Sequence, residues 1–330
     1  MKRAKSKDNP SDLYLGIDIG GTTYKAGVLD ADYTIIYKEI ISSASITTND
    51  LAPKAVCGLV ESALSQYPDI RSIGIGFPAI IAGDKMVFSS EFEIDIIQVK
   101  NFFCNKYKLP VALDTDSNAA AYAEMVMGNG AKYDNFVYFT LGTGVGVTII
   151  INKSIFKGEY GTPEGGNLII SSNIEEDTKQ QSECQCTIQD FVGKFAILEL
   201  SRKLANKYNE SLLNSPDGIS NDSFDVANIA NFAAKGDFAA ILCLQMTGKY
   251  LGIGIASIAN LLSIPHFIIG GGISQAEILI QTARQTAADY TMPTLAKYLT
   301  IENAYFNKNT GIVGAASIGR NEIYNQKILN

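Results

Sequence analysis

The chain has 330 residues, of which 46% are hydrophobic, 18% are charged and 29 are glycine, enough to bury a substantial core and to form two domains. A net charge of −7 and an isoelectric point near 4.9 argue against general binding to nucleic acid or anionic membrane, while leaving room for a local nucleotide site. Five cysteines in a long chain, behind a basic, polar N-terminus with no apolar stretch, argue against a disulfide framework, a signal peptide and a membrane anchor. A cytoplasmic protein is expected, with residues 1–12 as a flexible basic tail.

The first patterned segment is LYLGIDIGGTTYKAGVLD, residues 13–30. An apolar run reaches Asp18, Gly20 and Gly21 make a turn, and Tyr24 to Leu29 is again extended. Asp30 and Asp32 then turn the chain into a further strand, Thr34 to Ile41. Dinucleotide and P-loop glycines stand between a strand and a helix, and no helical period follows Gly21, so both of those motifs fail here.

Residues 110–128 read PVALDTDSNAAAYAEMVMG. Val111 to Leu113 is a short buried strand and strong helix formers follow from Ser117, so Asp114 and Asp116 fall at a strand-to-helix junction. Helix capping is the plain role for an aspartate there. The functional role is a base that takes a proton from a substrate hydroxyl during phosphoryl transfer.

FVYFTLGTGVGVTIII, residues 136–151, repeats the first pattern about 120 residues later, with Gly142-Thr143-Gly144 at its turn. The pair of hairpins points to a duplication, one copy in each half. Glycines let backbone N–H groups approach an anion, and threonine adds a hydroxyl donor. The uncharged stretch Leu251 to Ala276 is interrupted by Asn260, Pro265, His266 and three glycines, and is expected to be a buried helix followed by a buried strand. His266, the only histidine, stands among apolar neighbours and is expected at a strand start. In HFIIGGGISQAEILIQTARQTA, residues 266–287, a strand runs into a helix, with Ser274 expected as N-cap and Glu277 completing a capping box.

Together these features resemble the ROK family (repressors, open reading frames and sugar kinases) of the actin/hexokinase/Hsp70 superfamily, from about Leu13 to Arg320. The carriers are the DxGGT loop at Asp18, the GxGxP-like stretch Gly74 to Pro78, the aspartate-bearing helix start, Gly142-Thr143-Gly144, Glu164-Gly165-Gly166 and Gly270-Gly271-Gly272. The resemblance implies an α/β, actin-like (ribonuclease H-like) ATPase fold with two domains about a cleft. The first domain would hold 13–118 and about 306–330, the second 119–305, with a C-terminal helix around Thr310 to Asn325 packed on the first. It further implies ATP and magnesium as cofactors and a homodimer.

By the same resemblance Asp18, Gly20, Gly21, Thr22 and Thr23 face the phosphates, Asp18 reaching magnesium through water. Thr143 and Gly144 bind phosphate, and Gly271, Gly272 and Ser274 lie near the nucleoside. Asp116 matches the catalytic base and Glu164 a sugar-binding glutamate. Thr115, Asn167 and Gln189 stand where the family carries a sugar-contacting Asn, His and Glu. Of the family's zinc ligands only Cys184 and Cys186 remain, with Thr187 and Asn167 in the other places, so no structural zinc is expected. A sugar kinase is the function implied. A catalytically weakened sugar- or nucleotide-binding protein is the alternative that the three replacements raise. A DNA-binding repressor is disfavoured, since seventeen residues before Asp18 are expected to be too few for a helix-turn-helix unit.

Overall fold

The computed structural model describes residues 9, 11–20, 23–42, 53–82, 85–89, 92–171, 186–306 and 309–329. The chain divides into two compact units, one of Met1–Asp134, Ile150–Pro163 and Ala304–Asn330, the other of Asn135–Ile149 and Glu164–Asn303.

The first unit is built on a five-stranded sheet of order β3-β2-β1-β4-β8: β1 is Leu13–Ile19, β2 Thr23–Leu29, β3 Ile35–Ser42, β4 Ile70–Phe77 and β8 Val111–Thr115. β1, β2 and β3 form the antiparallel meander expected from the glycine turn, while β4 and β8 run parallel to β1. A small antiparallel sheet joins β5 (Ile80–Ala82), β6 (Lys85–Ser89) and β7 (Phe92–Asp95). Helices α1 (Pro53–Gln66), α2 (Ile96–Tyr107), α3 (Asp116–Val126) and α10 (Thr310–Leu329) complete the unit.

Strand alternation divides β1 between two faces. Leu15, Ile17 and Ile19 enter a core with Val56, Leu59 and Val60 of α1 and Phe103 of α2. Tyr14 lies on the other face, packed with Ala123 of α3 and with Ile312, Val313 and Ala316 of α10. Gly16 and Gly74 are register partners in β1 and β4. A Cβ on Gly16 would run into the Ile312 carbonyl, and one on Gly74 into that of Ala315. Gly319 of α10 faces the backbone of Ile73 and Gly74 in the same way. Bare backbone on both sides is what lets α10 settle onto the sheet.

A second sheet of the same plan, β11-β10-β9-β12-β13, has β9 at Phe136–Leu141, β10 at Val145–Ile151, β11 at Ser154–Ile155, β12 at His266–Gly270 and β13 at Thr300–Asn303. The second unit holds β9, β12, β13 and β10 up to Ile149, and the rest of β10 and β11 are counted with the first. β12 runs parallel to both β9 and β13. The helices are α4 (Ile188–Val192), α5 (Lys194–Lys207), α6 (Val226–Ala234), α7 (Phe238–Leu262), α8 (Glu277–Tyr290) and α9 (Pro293–Ala296). Gly248 and Gly252 bring α7 against α8, where a Cβ would meet the carbonyls of Leu279 and Ala283. Among the described residues α7 is the one helix long and apolar enough to cross a membrane, and 56% of its most apolar window is buried inside the fold. His266 opens β12, its Nδ1 2.9 Å from Thr300 Oγ1.

The structure moves the domain boundary. The sequence places it at 118/119, inside α3, whereas all of α3 belongs to the first unit, and the C-terminal return begins at Ala304. The reason is packing: Ala119 presents its carbonyl to Gly314 of α10, and Ala123 joins the Tyr14 cluster.

Because the Gly74 seat is backbone against backbone, neither side has a rotamer to give way. Gly74→Ala is expected to cost about 1–3 kcal/mol of stability, read as a lower urea midpoint. An unchanged midpoint would show that α10 does not rest on β4 at that point.

Candidate functional site

In the first unit the site residues sit at two strand ends. Asp18 is the penultimate residue of β1, on the face turned towards α10. Its Oδ2 accepts from Lys25 Nζ at 3.0 Å, and Lys25 is its direct register partner on β2. The ion pair is half-buried, with side-chain exposures of 28% for Lys25 and 14% for Asp18. Gly20 N donates to the Thr23 carbonyl at 3.0 Å, which closes the turn. Gly21 and Thr22 lie outside the described residues. Lys25 was not among the residues singled out from the sequence. Its signal was available, since a hairpin centred on the glycine turn sets residue 25 opposite residue 18.

At the second strand end, β8 delivers Thr115 beside Phe77 of β4, and α3 begins at Asp116. Thr115, not an aspartate, is the N-cap: its Oγ1 accepts from Asn118 N at 3.1 Å. Asp114 Oδ1 accepts from Thr115 N at 2.8 Å and from Asn118 Nδ2 at 2.6 Å, bracing the junction from below. Asp116 is the first helical residue, and its Oδ1 accepts from Ser117 N at 2.6 Å and Ser117 Oγ at 3.2 Å. The plain capping role read from the sequence therefore belongs to Thr115, and Asp116 fills a different position.

In the second unit the turn between β9 and β10 is closed by Gly142 N donating to the Gly144 carbonyl at 3.0 Å, and Thr143 and Gly144 are exposed. Gly193, before α5, fits beneath it, since a Cβ there would meet the Thr143 carbonyl at 3.1 Å. Lys194 N donates to the Gly142 carbonyl at 3.0 Å. Gly271 has φ 86° and its missing Cβ would run into the Leu141 backbone, so only glycine brings the end of β12 against the start of that turn. The structure corrects the expected capping box here. Helix α8 starts at Glu277 behind Ala276 with no side-chain cap. Ser274 stands in a preceding 3-10 turn, buried, donating from Oγ to the Gly271 carbonyl at 2.8 Å. The intervening 3-10 turn from Gly272 to Gln275 delays the helix by two residues.

Glu164, Asn167 and Gln189 gather in the same unit. Glu164 precedes a single 3-10 turn, Gly165–Asn167, whose glycines press on Val147 and Val145 of β10. Gln189 Nε2 donates to Asn167 Oδ1 at 3.1 Å, and a Cβ on Gly144 would lie 3.4 Å from Gln189 Oε1. The amide pair thus adjoins the Gly142–Gly144 turn. Glu164 is exposed as a residue, yet the protein around its carboxyl desolvates it and raises its pKa above the ordinary 4.5. Cys184 lies outside the described residues. Thr187, a counterpart of a family zinc ligand, instead donates to Asp190 Oδ2 at 2.6 Å in the capping box of α4.

The profile of the ROK family matches residues 14–322. The chain belongs to the ROK family. It is 29% identical over 314 residues to a glucokinase of Halalkalibacterium halodurans, covering 91% of this chain and 93% of that one. A xylose repressor of Bacillus subtilis is 26% identical over 315 residues, 92% of this chain and 76% of the repressor. The crystal structure of a Streptomyces griseus ROK family glucokinase in complex with glucose and AMPPNP superposes with a TM-score of 0.78 at 25% identity, covering 94% of this chain and 99% of that one. The architecture is the actin-like ATPase fold of ROK sugar kinases.

The two roles at the β8–α3 junction separate by mutation. Thr115→Ala is expected to cost about 0.5–2 kcal/mol of stability through the lost cap, seen as a lower thermal midpoint. Asp116→Ala should leave that midpoint nearly unchanged. The reverse pattern would return the capping role to Asp116.

Proposed function

We propose that this ROK protein is an ATP-dependent kinase of a hexose or hexose derivative, acting as a cytoplasmic homodimer, with Asp116 as the general base. The observation that carries the reading is the division of labour at the start of α3: Thr115 caps the helix, and Asp116 occupies its first turn. Support comes from the nearly full-length similarity to glucokinases.

Asp116 takes the proton of the sugar hydroxyl as that oxygen bonds to the γ-phosphorus of ATP. The bond from this phosphorus to the bridging oxygen breaks, and ADP leaves with the electron pair. Such transfer depends on positioning and charge stabilisation more than on covalent chemistry. In the first unit Thr23 would supply a hydroxyl donor to phosphate oxygens beside Asp18 and Gly20, with Gly21 and Thr22, outside the described residues, assigned to the same role by family resemblance. In the second, Thr143 and Gly144 do the same, and Gly271 and Gly272 present bare backbone to the nucleoside. Ser274 supports them indirectly, its hydroxyl holding the Gly271 carbonyl.

Magnesium fits the donor set. The ion is commonly held by one or two carboxylates, phosphate oxygens and retained water, and Asp18 supplies a carboxylate beside the turn with the Lys25 ammonium against it. When bound, magnesium supplies positive charge to the phosphates; Asp18 would hold it through water.

Glu164, Asn167 and Gln189 bind sugar hydroxyls, and Thr115 lies beside the base. Gln189 and Asn167 are neutral amides tied to one another, so a charged acceptor gives way to groups that both donate and accept. Glucose is therefore not the preferred substrate. The test is ADP release across a panel of hexoses, N-acetylhexosamines and glycosides. The expected result is activity on at least one sugar, with glucose below the best in kcat/KM and with Asp116→Ala lower by about 10²–10⁴ in kcat. ATP or sugar binding without turnover on any sugar would favour the weakened binder, and near wild-type turnover in the variant would remove Asp116 from catalysis.

Glu164 gives a pH signature. An ionised carboxylate accepts hydroxyl hydrogen bonds more strongly than a protonated one. Its raised pKa means that sugar affinity falls as pH drops through a range above 4.5, earlier than for an ordinary glutamate. The sign for stability is opposite: the protonated form is favoured by the fold, so that contribution fades as pH rises through the shifted pKa. Plots of sugar KM against pH should rise on the acid side in the wild type and lose that limb in Glu164→Gln. Superimposable limbs would assign the titration to another group.

A further inference from the structure

Most glycines along α10 and its seat are there for backbone contact. A Cβ on Gly16, Gly74 or Gly314 would run into the carbonyls of Ile312, Ala315 and Ala119. Gly311 is different. It lies in the first turn of α10, and the atoms its missing Cβ would meet are the carboxyl carbon and both oxygens of Asp18. Asp18 Oδ2 also accepts from Lys25 Nζ at 3.0 Å. Its carboxylate is thus set by an attraction and by a steric contact together.

From this geometry we infer that Gly311 is a positioning residue for the phosphate site, setting the Asp18 carboxylate through close contact from the C-terminal helix. The inference rests on the reading of Asp18 as the group that organises magnesium and phosphate. A backbone carbonyl cannot step aside, so a methyl group at Gly16 or Gly74 disturbs the fold. A carboxylate can turn about its χ angles, so a methyl group at Gly311 displaces the functional group and spares the sheet. The segment that returns to the first unit at Ala304 therefore reaches the nucleotide loop, nearly three hundred residues away in sequence, through one side-chain-free position. Gly311 has no positive φ, so alanine is compatible with its backbone and improves helix propensity. The opposing effects make the role measurable.

The experiment compares Gly311→Ala, Asp18→Ala and the double variant in the full chain, by calorimetric titration of ATP with magnesium, titration of the best hexose, and thermal midpoint. Gly311→Ala is expected to weaken magnesium–ATP binding about tenfold, as when the outer partners of a metal ligand are disturbed, with hexose binding unchanged. In the Asp18→Ala background the same substitution should change nucleotide affinity no further and should raise the midpoint, because the carboxylate it would meet is gone. Wild-type nucleotide affinity in Gly311→Ala overturns the inference, as does an equal loss in both backgrounds. Wild-type affinity in Asp18→Ala overturns the reading of Asp18 itself, a distinct result, and the inference with it. If Gly311→Ala does not fold alone, recovery of folding in the double variant supports contact through Asp18, and failure to recover overturns it.

Discussion

The close approach of α10 to the sheet is the constraint on which the first unit depends. The helix rests on Gly16 and Gly74, which are register partners, and presents Gly319 back to the strand. Contact at this range removes a layer of side chains, so strand and helix are locked by shape with little freedom to slide. Everything carried by this face of the sheet inherits that fit. Tyr14 and Ala123 are held in one cluster with α10, and Asp18 is set on the same face by strand alternation. The helix that carries Asp116 is held by the same contact, through Ala119 and Gly314. Asp18 and Asp116 are thus positioned by one packing arrangement, although ninety-eight residues separate them.

The second unit solves a related problem with the same plan. Its sheet repeats the strand order of the first, a hairpin followed by two parallel strands. Here the close approach is between α7 and α8, through Gly248 and Gly252. Gly271 plays a local version of the same part, admitting the end of β12 to the backbone of Leu141. The result is that a turn rich in N–H groups, a bare glycine strand end and the amide pair Asn167–Gln189 occupy one region of this unit.

Two aspartates at one strand-to-helix junction do different work, and the structure explains why. Asp114 is braced by Asn118 and the Thr115 amide, Thr115 caps, and Asp116 begins the helix. A carboxylate acting as a base needs a fixed place that is not already the helix cap. Thr115 takes the cap and leaves the Asp116 carboxylate out of it.

The hairpins, the buried α7, the β12 strand and the aspartate-bearing junction were legible in the sequence, because strand alternation, glycine turns and capping residues act over a few neighbours. The family was legible for the same reason, since its motifs are short and local. The α8 start differs from the expectation: Ser274 and Glu277 have the spacing of a capping box, but the 3-10 turn from Gly272 to Gln275 takes the place of the first helical turn and the helix starts at Glu277. The boundary at 118/119 failed because a helix belongs to whichever surface it packs on, and α3 packs on α10. Residues near in sequence decide turns, caps and strands through local hydrogen bonds and sterics. Which glycine must stay bare, which cation meets Asp18 and which amide meets Asn167 depend on contacts between distant segments, and only the folded chain brings those together.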